Sequence, residues 1–141
     1  MPYKLIDHTA DIAVEVTGNS ISSLFIAASE AWRDTILEFE NTLMESSKKF
    51  IFNSVSMEGL LVDFLSELNF QLYTKKWCFI SCKNLLFQKT ELNIQLDAEV
   101  FGQCFNSINH KIKEEIKAVT FHQMKIEEIN GLFMTKIIFD V

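Results

Sequence analysis

Carboxylates gather near both ends of this chain. Asp7-His8-Thr9-Ala10-Asp11 lies close to the start, and Phe139-Asp140-Val141 closes it. Strand-like residues stand beside both segments. Asp140 is followed by a single residue, so the α-carboxylate of Val141 adds another negative group nearby. If the fold joins the two ends, carboxylate oxygens converge on one point. Such a ligand set suits a hard divalent cation: Ca²⁺, Mg²⁺ or Mn²⁺. Each half has a plainer reading. Asp and Thr beside a strand commonly bond the local backbone, and a carboxylate at the end of a chain is usually just solvated. Periodicity does not show whether the ends meet.

Other chemistry is sparse. Cys78 and Cys82 have ligand-like spacing, but no second Cys/His pair completes a zinc site. Their strand-like surroundings favour buried free thiols. Cys104 lies in a loop-like stretch with no base assigned to it. His110, among polar residues with Lys111 and Lys113, reads as an exposed histidine; His122, among apolar residues, reads as a hydrogen-bonded core histidine. Four scattered glycines cannot form a phosphate-binding loop. No catalytic residue is indicated.

The elements that would position the carboxylates follow from the pattern. Ile12, Val14 and Val16 alternate with polar or small residues as a half-buried strand. Asn19 or Ser20 then caps a helix running to about Leu37, with Leu24, Ala28 and Ala31 on one stripe and Glu30 and Arg33 outward. Residues 38–49 read as a polar loop, and 50–55 as a strand. Ser56 caps a second helix whose Leu60, Leu61, Phe64, Leu65, Leu68 and Leu72 recur at helical spacing. Strands follow at 78–87 and 92–100, with a loop at 102–110. Residues 116–128 and 132–140 read as two strands joined at Asn130-Gly131, a strong two-residue hairpin signal. Continuing that hairpin's register sets Phe121 opposite Asp140 and His122 opposite Phe139. This order predicts an α+β fold: two helices packed on one face of a mixed, largely antiparallel sheet.

Length and composition agree. A chain of 141 residues suits one domain, 1–141. Thirteen Phe supply a core, and a net charge of −6 opposes a main role in gripping a nucleic-acid backbone. Only Lys111, Lys113 and Lys117 suggest a local basic patch. No stretch reads as a signal peptide or membrane span, so a cytoplasmic protein with reduced thiols and no membrane partner is expected.

Three segments together resemble the archease family: Asp7-His8-Thr9-Ala10-Asp11-Ile12 with the helix that follows; Leu60-Leu61-Val62-Asp63-Phe64-Leu65-Ser66-Glu67-Leu68; and Ile116-Lys117-Ala118-Val119-Thr120-Phe121-His122 with the ending Phe139-Asp140-Val141. The resemblance spans essentially the whole chain. It implies an accessory protein, not an enzyme, that activates an RtcB-type RNA ligase. That ligase uses GTP and divalent metal to guanylylate its own histidine, and it serves tRNA splicing and RNA repair. The family's metal-binding positions fall on Asp11, Asp140 and Val141, with Asp7 and His8 adjoining them. One departure is visible: where members often carry a His-Glu-Pro-Lys-like stretch, this chain has His110-Lys111-Ile112-Lys113. Two other readings stand beside this one. The first is a general chaperone or modulator of RNA- or DNA-modifying enzymes. The second is a metal-dependent hydrolase using Asp11 and Asp140, which lacks an evident general acid or base.

Overall fold

The computed structural model describes residues 2–6, 11–40 and 46–141. Strands β1 (Tyr3–Ile6) and β2 (Ile12–Gly18) lead into helix α1 (Ile21–Ile36). β3 (Leu37–Phe39) and β4 (Ser46–Ser54) precede helix α2 (Met57–Tyr73). Then come β5 (Trp77–Lys89), β6 (Ile94–Cys104), β7 (His110–Ile112), β8 (Ala118–Thr120), β9 (Glu127–Ile129) and β10 (Leu132–Asp140).

The caps explain where the helices begin. Ser20 and Ser23 form a reciprocal capping box at α1, and Ser56 Oγ accepts the Gly59 N–H at 3.0 Å at α2. Gly18 lets α1 lie directly on the end of β2, because a Cβ there would sit 2.5 Å from the backbone nitrogen of Leu24. The strands form three sheets, and every described pairing is antiparallel. The largest runs β1-β2-β10-β8, with β9 also on β10; β4-β6-β5 form the second and β3-β7 the third. Both helices bury their apolar stripes against these sheets in one cluster that includes Val14, Phe25, Trp32, Phe64, Leu68, Phe79, Val100 and Phe139. The α+β class expected from the sequence is the one observed.

Several expectations need correcting. Residues 116–128 are not one strand. The Asn130-Gly131 turn does pair Ile129 with Leu132, with both turn residues at positive φ. The ladder then breaks. Between the Met134–Glu127 and Ile138–Thr120 pairs, four steps along β10 face seven along its partner. Residues 121–126, six against the three of β10 that they face, leave the sheet; there Gln123 takes φ 58° and the Met124 N–H bonds the Phe121 carbonyl at 3.1 Å. Asp140 therefore lies opposite Ala118, and Phe139 opposite Val119, rather than opposite Phe121 and His122. Residues 102–110 are not all loop, since β6 continues to Cys104 and His110 opens β7. The stretch 38–49 likewise holds the end of β3 and the start of β4.

Candidate functional site

The two ends of the chain are brought together by one ladder. β2 and β10 pair from Phe133–Gly18 to Phe139–Ile12. One step further along each strand come Asp11 and Asp140. Directly opposite residues in such a ladder have Cα atoms about 4.5–5.5 Å apart, so this register leads the two aspartates to the same end of the sheet. β10 sits between β2 and β8, and the Lys117 N–H bonds the Asp140 carbonyl at 2.7 Å. The alternation of β10 turns Phe139 into the core and leaves Asp140 exposed. Val141 is half-buried and packs against the core cluster. Asp7 and His8 lie outside the described residues.

Asp11 and Asp140 offer carboxylate oxygens. Such donors fit a hard cation better than zinc, which favours thiolates and imidazoles. Among the described residues, no group of three or more His, Cys, Asp or Glu side chains is arranged to hold a metal ion. Asp11 and Asp140 alone do not make a ligand shell; further oxygens, water among them, would have to complete it.

Beside Asp11 opens a cleft of about 560 Å³ that the sequence did not reveal. Its walls are Tyr3, Leu5 and Ile6 of β1, Ile12, Asp34 and Thr35 at the end of α1, and Lys113. The Tyr3 hydroxyl donates to Asp34 Oδ2 at 2.6 Å, and Arg33 Nε donates to Asp34 Oδ1 at 2.8 Å. Burial opposes ionisation of Asp34, but the bonds from Arg33 and Tyr3 and the charges of Arg33 and Lys113 outweigh it and hold its carboxyl below the usual value. Arg33 was expected to face outward. Its Nη1 instead donates to the Ile80 carbonyl at 2.6 Å, and its guanidinium lies over the Phe39 ring. One signal was available: a carboxylate near a helix C-terminus opposes the dipole and calls for a partner.

The two histidines exchange the roles expected of them. His110 is 3% exposed, stacks on Phe105 and accepts the Asn106 N–H at Nδ1 over 2.9 Å. His122 is exposed on the turn at 121–124. Cys78 and Cys82 are buried free thiols, as expected, and burial pushes both up to about 12; Cys104 is exposed. Lys111, Lys113 and Lys117 are all exposed.

The model of the archease protein family matches residues 3–141. This chain belongs to the archease family. The protein archease of Pyrococcus furiosus is 30% identical over 136 residues, covering 96% of this chain and 95% of that protein. The protein archease of Pyrococcus abyssi is 29% identical over 136 residues with the same coverage. Two solved structures share the fold. Protein 1598 of Methanobacterium thermoautotrophicum superposes with a TM-score of 0.83 at 23% identity, covering 99% of each chain. A Thermotoga maritima protein, described as an archease and possible chaperone, gives 0.62 at 24% identity, covering 98% of this chain and 96% of its own. No helix among the described residues is long and apolar enough to cross a membrane.

Proposed function

We propose that this protein, acting as one unit, is an accessory factor of an RtcB-type, GTP-dependent RNA ligase. In this reading it promotes guanylylation of the ligase and its multiple turnover in tRNA splicing and RNA repair, through a divalent ion held by Asp11, Asp140 and Val141. The observation that carries the reading is the β2–β10 register, which leads both aspartates to one end of the sheet in a chain of the archease family. The Asp11 and Asp140 carboxylates offer hard oxygen donors, which favour Ca²⁺, Mg²⁺ or Mn²⁺. The ion, when bound, supplies positive charge that can offset phosphate charge during nucleotidyl transfer. The chain's own residues hold that charge at an exposed sheet end, where a partner protein can reach it. The net charge of −6 fits a protein partner better than an RNA backbone. Buried Cys78 and Cys82 suit work in the reducing cytoplasm.

Single-turnover guanylylation of the ligase, measured with and without this protein and with Asp140→Ala, tests the proposal. Acceleration by the intact chain and none by the variant supports it. Equal rates with and without the chain refute it.

A broader chaperone role is the second reading, and the description of the Thermotoga maritima relative favours it. Thermal aggregation of unrelated client proteins separates the two. Broad protection points to a chaperone, and protection confined to the ligase points to the specific factor.

A further inference from the structure

We propose that Tyr3 and Asp34 form a clasp that positions the segment carrying Asp11 and so tunes the ion preference of the site. The inference rests on the reading of Asp11 and Asp140 as ion ligands. Its basis is the way β1 is held. β1 is the four-residue edge strand of the largest sheet. Its last pair with β2 is Ile6–Ala13, two residues from Asp11, which directly precedes β2. The strand that flanks the Asp11 end of β2 is thus a short edge strand, and short edge strands open readily.

The clasp opposes that opening. Tyr3 OH donates to Asp34 Oδ2 at 2.6 Å, joining β1 to α1. Arg33 Nε then donates to the other oxygen of Asp34, while Arg33 Nη1 reaches the Ile80 carbonyl of β5. Arg33 also stacks over Phe39 of β3. A continuous set of bonds therefore runs from the edge strand into the body of the protein. Tyr3, Asp34 and Asp11 line one cleft, so a shift of β1 alters the surroundings of Asp11. Burial, and then the bond to Asp34, push the Tyr3 hydroxyl up to about 12, so it stays a proton donor across the working pH range. Tyr3 and Asp34 are positioning residues, since they act through the strand and not on the ion.

The effect has a distinguishing signature. Mg²⁺ demands short bonds in near-octahedral geometry, whereas Ca²⁺ tolerates irregular ligands. Loosening the clasp should cost Mg²⁺ more than Ca²⁺. Partners that orient metal ligands typically change affinity by about 10- to 100-fold. Acting through a strand, Tyr3→Phe should fall at the low end: about tenfold weaker Mg²⁺ binding, with Ca²⁺ affected about threefold or less.

The experiment is isothermal titration of the full chain with Mg²⁺ and Ca²⁺, beside amide hydrogen exchange over residues 3–6, for the wild type, Tyr3→Phe and Asp140→Ala. Faster exchange in β1 of Tyr3→Phe together with a selective loss of Mg²⁺ supports the clasp. Unchanged exchange, or equal losses for both ions, overturns it. If the wild type binds neither ion, or Asp140→Ala binds like the wild type, the reading of the ion site falls and the clasp's tuning role falls with it. Failure of the Tyr3→Phe arm alone leaves the ion site standing.

Discussion

Asp140→Ala tests the proposed ion site separately from the fold. The side chain is exposed, and the backbone bonds that fix its place survive the substitution: its carbonyl accepts the Lys117 N–H, and its position faces Ala118. Exposed substitutions of this kind cost within about 0.5 kcal/mol. Removing a negative charge near Asp11 acts in the stabilising direction when no ion is bound. The ion-free Tm should therefore stay within about 2 °C of the wild type.

Addition of the ion should part the two proteins. At an ion concentration 100-fold above Kd, binding stabilises the wild type by about 2.7 kcal/mol. A chain of 141 residues has an unfolding entropy of about 0.3 kcal/mol/K, so the Tm should rise by about 9 °C. Loss of one ligand carboxylate should weaken binding by about 100-fold or more, because even indirect partners are worth about 10- to 100-fold. At the same concentration the variant should then gain only about 1 °C. Calorimetric melting with and without CaCl₂ or MgCl₂ measures this directly. A variant that still climbs by about 9 °C would show that Asp140 is not a ligand. An ion-free Tm lower by more than about 5 °C would assign Asp140 a structural role instead.

Asp34 is held below its ordinary pKa of 3.8, so its stabilising share is full above that value and fades as pH falls through the lower folded value; urea midpoints taken from pH 7 down to pH 2 should decline less steeply for Asp34→Asn than for the wild type. His110→Ala should cost about 2–3 kcal/mol in urea unfolding, because it removes a buried stack and leaves the Asn106 N–H without its acceptor, while His122→Ala should change stability by less than about 0.5 kcal/mol. Iodoacetamide at pH 8 should label Cys104 and spare Cys78 and Cys82, whose thiols are buried and pushed up to about 12, with peptide mass spectrometry as the readout.

What could be read from the sequence was what local pattern determines. Ser56 as a cap, the leucine stripe of α2, the alternation that became β6 and the Asn130-Gly131 turn all depend on residues within a few positions of one another. Readings that needed a long extrapolation failed. The hairpin register drifted because residues 121–126 leave the ladder, and no glycine or proline marks the place; Gln123 takes the left-handed backbone itself, and Met124 turns into the core. The histidines were misassigned because neighbours in sequence stood in for neighbours in space. His110 follows a polar turn, yet its pairing opposite Phe39 and its stack on Phe105 bury it. His122 follows apolar residues, yet sits on a corner.

The placement of the carboxylates has a consequence for how the site forms. Ile12 and Phe139 pair from nearly opposite ends of the chain. A ladder that joins such distant residues carries a large loop-closure cost and is favoured only when the intervening elements have already condensed. Here those elements include both helices and the β4-β6-β5 sheet, which supply most of the core against which Val14, Ile137 and Phe139 pack. The register that leads Asp11 and Asp140 to one end of the sheet is therefore present only in the completed fold. A partially folded chain can hold the local helices and the Asn130-Gly131 hairpin without offering both aspartates together. If Asp11 and Asp140 hold an ion as proposed, its binding is coupled to the native state and stabilises the folded chain as a whole.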